Sequence, residues 1–185
     1  MINNWAGWLV LIVFAMASTW LMYSLEQDFS VNPTINPHLS DYTLKNFTSV
    51  QLNQQGKLKN KLLAETMTHY PTINTKLTKP YLIFYKQDKP TWTVRSQRGE
   101  ISPNNNEIWL LGNANLHKLH PNPTKQLKII SKDLWVILNK EYAETAKAST
   151  IISHTTTTHS VGMQVFMPIE KINLLSKVRG HYVTP

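Results

Sequence analysis

The first charged side chain in this sequence is Glu26, and from Trp5 to Leu25 every residue is apolar or small apart from Ser18, Thr19 and Ser24. At about 1.5 Å of rise per helical residue such a run makes a rod of roughly 30 Å, the thickness of a bilayer's hydrocarbon core. One crossing at the start of the chain is therefore expected, and no second run of this kind follows. A cleavable signal peptide carries a basic start, a short apolar stretch and a small-residue cleavage site. Here the sequence begins Met1-Ile2-Asn3-Asn4 without Lys or Arg. Ala15-Met16-Ala17 resembles a cleavage site, but Trp20, Leu21, Met22 and Tyr23 carry the apolar run past it. The segment reads as an uncleaved anchor.

Trp5 and Trp8 at one end and Trp20 and Tyr23 at the other bracket the span, as amphipathic rings do at the two headgroup levels. Leu11, Ala15, Ser18 and Met22 share one helical face, where the small Ala15 and Ser18 would let another helix approach closely. The net charge of +8 does not set orientation, because only charges within about 15–20 residues of a span count and long domains translocate regardless. Glu26, Asp28 and Asp41 follow the span, and no basic residue appears before Lys45. The expected orientation is N-terminus inside and C-terminal part outside, which in a bacterium means the periplasm.

Residues 1–25 thus read as anchor, 26–40 as a linker marked by Pro33, Pro37 and several Asn, and 41–185 as one domain. The chain has no cysteine, so neither a disulfide framework nor thiol chemistry is available. Its basic residues do not cluster, no nucleic-acid motif is present, and the lysines read first as a solvated surface.

After Asp41 the texture is of short β-type segments between turn residues. Tyr42–Phe47, Leu58–Ala64, Tyr81–Tyr85 and Thr91–Arg95 come first, separated by Gly56 and by Asp88-Lys89-Pro90. In Thr91–Arg95 the pair Trp92 and Val94 share one face, the period of two of a half-buried strand. Ile108–Leu111, Ala114–His120, Leu127–Ile130, Leu134–Leu138, Thr150–Ser153, Val161–Met167, Ile172–Ser176 and Tyr182–Thr184 follow, with turns at Ser102–Asn106, Gly112-Asn113 and Pro121-Asn122-Pro123. Thr155–Thr158 reads as part of a hairpin. Strands at this spacing, with no helical stripe after Leu25, predict an all-β sandwich, barrel or roll.

Catalytic and metal chemistry finds little support. His117-x-x-His120 and His154-x₄-His159 lie in strand and turn segments, and neither a cysteine nor an HExxH is there to complete a zinc site. There is no GxSxG elbow and no GxG phosphate loop. Glu141 and Glu144 read as solvated surface residues.

From Asp41 onward the chain resembles the LptC family of lipopolysaccharide export proteins. The resemblance rests on Asp41-Tyr42-Thr43-Leu44-Lys45-Asn46-Phe47, Gly56-Lys57-Leu58, His69-Tyr70, Leu77-Thr78-Lys79-Pro80 and Pro90-Thr91-Trp92-Thr93-Val94. It continues through Arg98-Gly99-Glu100-Ile101-Ser102, Ile108-Trp109-Leu110-Leu111-Gly112-Asn113-Ala114, Gly162-Met163 and Leu174-Leu175-Ser176-Lys177-Val178-Arg179-Gly180-His181-Tyr182. The order and spacing of these pieces make it specific.

The resemblance implies a twisted open β-jellyroll in the periplasm behind one inner-membrane helix, with no cofactor and no catalysis. It implies that lipopolysaccharide is received from the LptB, LptF and LptG ATP-driven extractor and passed to LptA through jellyrolls joined edge to edge. The N-terminal edge, with Tyr42, Leu44 and Phe47, would meet LptF; the C-terminal edge, with Tyr182, would meet LptA. The helix face of Leu11, Ala15 and Ser18 would lie among helices of LptF and LptG. Leu77 matches a family position near the groove's entrance, and alternation adds Phe84, Trp92, Val94, Leu110, Leu134 and Val136 as candidates for lipid contact or plain core. The competing expectation is an anchored scaffold of another envelope assembly, which would bind protein only and have a closed, filled core.

Overall fold

The computed structural model describes residues 4–29, 39–71 and 73–182. The chain divides into two compact units, residues 1–36 and 37–185. In the first, helix α1 runs from Asn4 to Phe29. Within it Gly7–Leu25, 19 residues, is long and apolar enough to cross a membrane. Thr19 Oγ1 donates to the carbonyls of Ala15 (2.9 Å) and Met16 (3.0 Å), which satisfies the hydroxyl inside the helix itself. The helix continues one turn past the apolar run, since neither Gly nor Pro stands there to stop it. Residues 30–38, most of the expected linker, lie outside the described residues.

The second unit is built from eleven strands: β1 (Tyr42–Leu52), β2 (Leu58–His69), β3 (Thr75–Thr78), β4 (Tyr81–Lys86), β5 (Lys89–Arg95), β6 (Arg98–Ile101), β7 (Glu107–Lys118), β8 (Leu127–Ile137), β9 (Tyr142–Ile152), β10 (Thr156–Phe166) and β11 (Lys171–Tyr182). All pairings are antiparallel. β2 pairs β4 through its first half and β3 through its second, in one continuous register from Asn60↔Phe84 to Thr68↔Lys76. β4 then pairs β5 and β3 pairs β6, and β7 receives both β5 and β6. β3 with β4, and β5 with β6, are therefore two long strands, each interrupted once, at Lys79-Pro80 and at Ser96-Gln97. With β7 to β11 following in order, the sheet is a meander whose spatial order is its chain order, with β1 and β11 as its edges.

The interruptions line up across the sheet. Asn46, Lys79, Gly112, Asp133, Gly162 and Lys177 all have positive φ, between 46° and 82°. Gly112, Asp133, Gly162 and Lys177 fall where ladders shift register, between Leu110 and Asn113 in β7, Ile130 and Trp135 in β8, Val161 and Met163 in β10, and opposite His159 to Val161 in β11, whereas the ladders keep register across Asn46 and Lys79. Left-handed residues and bulges of this kind bend a strand and raise its twist. Asp133 Oδ1 accepts from the Gly112 N–H (3.0 Å), occupying a donor that the break in the ladder releases. At Gly162 a Cβ would meet Leu175 Cδ1 at 3.0 Å, so β10 and β11 approach closely there.

This crease folds one sheet into two layers over one core. Crossing it, several strands exchange the face they bury: β2 buries Leu62 and Ala64, then Met67; β8 buries Ile129 and Ser131, then Leu134 and Val136. Both halves contribute to one apolar cluster, which includes Leu82, Phe84, Trp92, Val94, Ile108, Leu110, Leu116 and Met163. Loops from opposite strand ends meet on the far side, where Gln51 and Lys59 reach Asn139 and Lys118 pairs with Glu170. The result is the expected all-β architecture, an open β-jellyroll.

Candidate lipid groove and docking edges

The inward side of β1 stands over an open cleft of about 460 Å³. Phe47 and Val50 of β1, Leu62 and Met67 of β2, Ile101, Ile108 and Leu138 supply its apolar lining. Tyr42, His69, Thr75 and Asn60 supply polar atoms around it. β1 reaches this position because, among the described residues, β2 is its only strand partner, which leaves its other edge unpaired there. Asn46, with φ of 51°, turns Phe47 inward against the core while Tyr42 and Leu44 stay exposed. Tyr42 stacks on His69 with ring centroids 5.0 Å apart. The His69 ring also contacts Thr75 Oγ1 (3.0 Å) and Asp41 (3.7 Å), which fixes the mouth of the cleft.

Leu77, Phe84, Trp92, Val94, Leu110, Leu134 and Val136, the residues chosen for lipid contact, are all buried in the core, each at most 3 % exposed. None of them lines this cleft, and Trp92 lines a separate cleft of about 450 Å³. Alternation finds inward residues but does not separate a packed floor from an open mouth. Alternation does not single out the lining residues Val50, Met67, Ile101, Ile108 and Leu138, although Leu138 and Ile101 carry the modest signal of apolar residues standing beside turn sequences.

At the other edge, β11 pairs, among the described residues, only with β10. Ile172 and Leu174 pack against the core, but from Leu175 to Tyr182 the strand is exposed, including Leu175, Val178 and Tyr182. Tyr182 sits opposite Thr156 and is 62 % exposed. In α1, Leu11, Ala15 and Ser18 are all exposed.

Opposed charges gather where the two layers' loops meet. Burial raises the Glu141 carboxyl above its ordinary value, with Lys59 and Lys86 pulling the other way. Glu170 is lowered by the hydrogen bond from Lys118. Because Glu141 is raised in the fold, stability falls as pH rises from its ordinary value through the folded one, and nothing is lost in acid, where it is protonated in both states. Glu141→Gln is therefore expected to melt higher than the native protein at neutral pH and equally below the carboxylate range. Thermal unfolding at the two pH values checks this.

The described residues thus comprise a helix long and apolar enough to cross a membrane and an open jellyroll with an apolar cleft and two edge strands. The family model described as lipopolysaccharide-assembly, LptC-related, matches residues 8–183. The chain belongs to that family, whose members are inner-membrane-anchored components of the lipopolysaccharide transport bridge. Among solved structures, the chain is similar to LptH, the LptA-homologous periplasmic component of the lipopolysaccharide transport device from Pseudomonas aeruginosa. The likeness has 8 % identity and a TM-score of 0.44, and covers 78 % of this chain and 94 % of that one. No curated relative matches this chain.

Proposed function

We propose that this protein receives lipopolysaccharide from the LptB, LptF and LptG extractor at its β1 edge and passes it to LptA at its β11 edge. α1 crosses the inner membrane with its N-terminus in the cytoplasm, and the jellyroll works in the periplasm without chemistry of its own. The observation that carries this reading is the apolar cleft beside the free edge of β1, continuous with a core that Ile172 and Leu174 extend to β11. Each acyl CH₂ sheltered from water there is worth about 0.8 kcal/mol, so a lipid chain has a strong reason to enter. Free edges are an aggregation hazard unless they serve as docking strands by β-augmentation. Energy for transfer comes from the partner ATPase.

A photo-crosslinking amino acid at Phe47 tests the groove. In membranes containing the extractor, it is expected to capture lipopolysaccharide only while ATP is hydrolysed, and the same group at the exposed Thr48 is expected to capture none. The full burial of Phe84 and Leu110 is what a protein-only scaffold would also show. Failure to form a lipid adduct at Phe47, Met67 and Leu138 alike would decide for that scaffold.

A further inference from the structure

Opposite the crease, the two layers are held together by side chains rather than by strand pairing. Lys118, at the end of β7, pairs with Glu170 in the β10–β11 loop at 2.5 Å. Lys59 Nζ donates to the Asn139 carbonyl (3.4 Å), and Gln51 Nε2 donates to Asn139 Oδ1 (3.5 Å). Two clefts flank these contacts. One, of about 500 Å³, takes in Lys59, Lys86 and Glu141; the other, of about 450 Å³, takes in Lys86, Lys89, Lys118, His120 and Glu170. Lys86 and Gln87 belong to both, so the two form one furrow along the seam. The nearby Asp88 is engaged, its carboxylate accepting from the Leu58 N–H (3.2 Å).

Two properties of the furrow point to a ligand class. Four lysines face two glutamates there, so the site is positive even with both acids ionised. Its second cleft is floored by Trp92, a core residue 2 % exposed, so apolar interior lies directly beneath the lysine rim. A phosphorylated amphiphile needs both: cations for its phosphate at the water boundary, and an apolar bed for its chains. The seam is also where the layers separate most cheaply, since among the described residues no backbone ladder crosses it and side-chain contacts alone span it.

We propose that this furrow is a phosphate clasp: the phosphate of a glycolipid headgroup takes Lys118 and Lys86, displaces Glu170, and holds the headgroup outside while its chains lie over Trp92. The proposal rests on the lipid-handling reading above. Its chemistry is that of charge-assisted hydrogen bonds between ammonium groups and phosphate oxygens. Glu170 is the built-in competitor, and its loss frees Lys118 without touching the core.

The test is binding of fluorescent lipid A to the full chain in detergent, with bisphosphorylated and dephosphorylated lipid compared. Lys86→Gln combined with Lys118→Gln is expected to weaken binding of the phosphorylated lipid about tenfold and to leave the dephosphorylated lipid unchanged. Glu170→Gln is expected to tighten binding of the phosphorylated lipid, a gain that unfolding cannot produce. Equal effects of the double variant on both lipids, or weaker binding by Glu170→Gln, would overturn the clasp. So would binding of inorganic phosphate alone as tight as that of the lipid, which would make the furrow a free-anion site. If the native protein binds both lipids equally, the clasp fails and the groove stands. If it binds neither, the groove reading fails and takes the clasp with it.

Discussion

Phe84→Ala is expected to cost the domain about 3–5 kcal/mol, seen as an earlier urea midpoint with an unchanged slope. Phe84 is fully buried in β4, with Asn60 of β2 and Trp92 of β5 as its cross-strand neighbours. Truncation removes the ring's transfer free energy and leaves a hole that hydrogen-bonded ladders on both sides hold open. A magnitude in this range identifies Phe84 as packed floor. If the ring instead lined an open lipid path, the cavity term would vanish, because the space would already be solvent or lipid. A loss below about 1.5 kcal/mol would therefore move the groove's boundary inward from Phe47 and Met67 to the central strands.

The same residue shows what period-two reasoning can reach. Alternation picks out Phe84, Trp92, Val94, Leu110, Leu134 and Val136, and each is buried, although Thr93 between Trp92 and Val94 and Ile137 beside Val136 are buried as well. Across the crease alternation breaks down. Ile108–Leu111 and Ala114–His120 read as two strands parted at Gly112-Asn113, yet they are the two halves of β7. Leu127–Ile130 and Leu134–Leu138 likewise merge into β8, with Asp133 as its bend. A left-handed residue inside a strand and one in a hairpin turn look alike along the chain; only the partner strand, which bends at the same level, tells them apart. The reverse error occurs at the true turn between β4 and β5. It is Gln87-Asp88, with φ of 53° and 59°, and Lys89 and Pro90 already belong to β5. The first half of β9 gives no sequence signal because Tyr142–Ala148 carries too few large apolar residues to show a stripe. Both edges were legible through the family motifs. The seam was not, because Lys118 and Glu170 are 52 residues apart and meet only once the sheet has folded over.

Val178→Asp combined with Tyr182→Asp is expected to reduce capture of LptA by at least thirtyfold, on the order of 2 kcal/mol or more, while leaving the domain's melting temperature nearly unchanged. The stability expectation follows from burial: both side chains are more than half exposed, on the part of β11 that has no core beneath it. The binding expectation follows from edge pairing. A strand added to β11 would cover Val178 and Tyr182 and strip water from any charge there, and an unpaired buried carboxylate is among the most costly groups an interface can hold. Backbone donors and acceptors along the 12 residues of β11 would be unaltered, so a small residual affinity is expected. Co-purification with LptF and LptG, and lipid capture at Phe47, should persist, because the proposed function assigns both to the β1 edge and α1. Undiminished LptA capture would remove this half of β11 from the docking edge, whereas joint loss of LptA, LptF and LptG would mean that the exposed half of β11 supports the fold in a way its burial does not show.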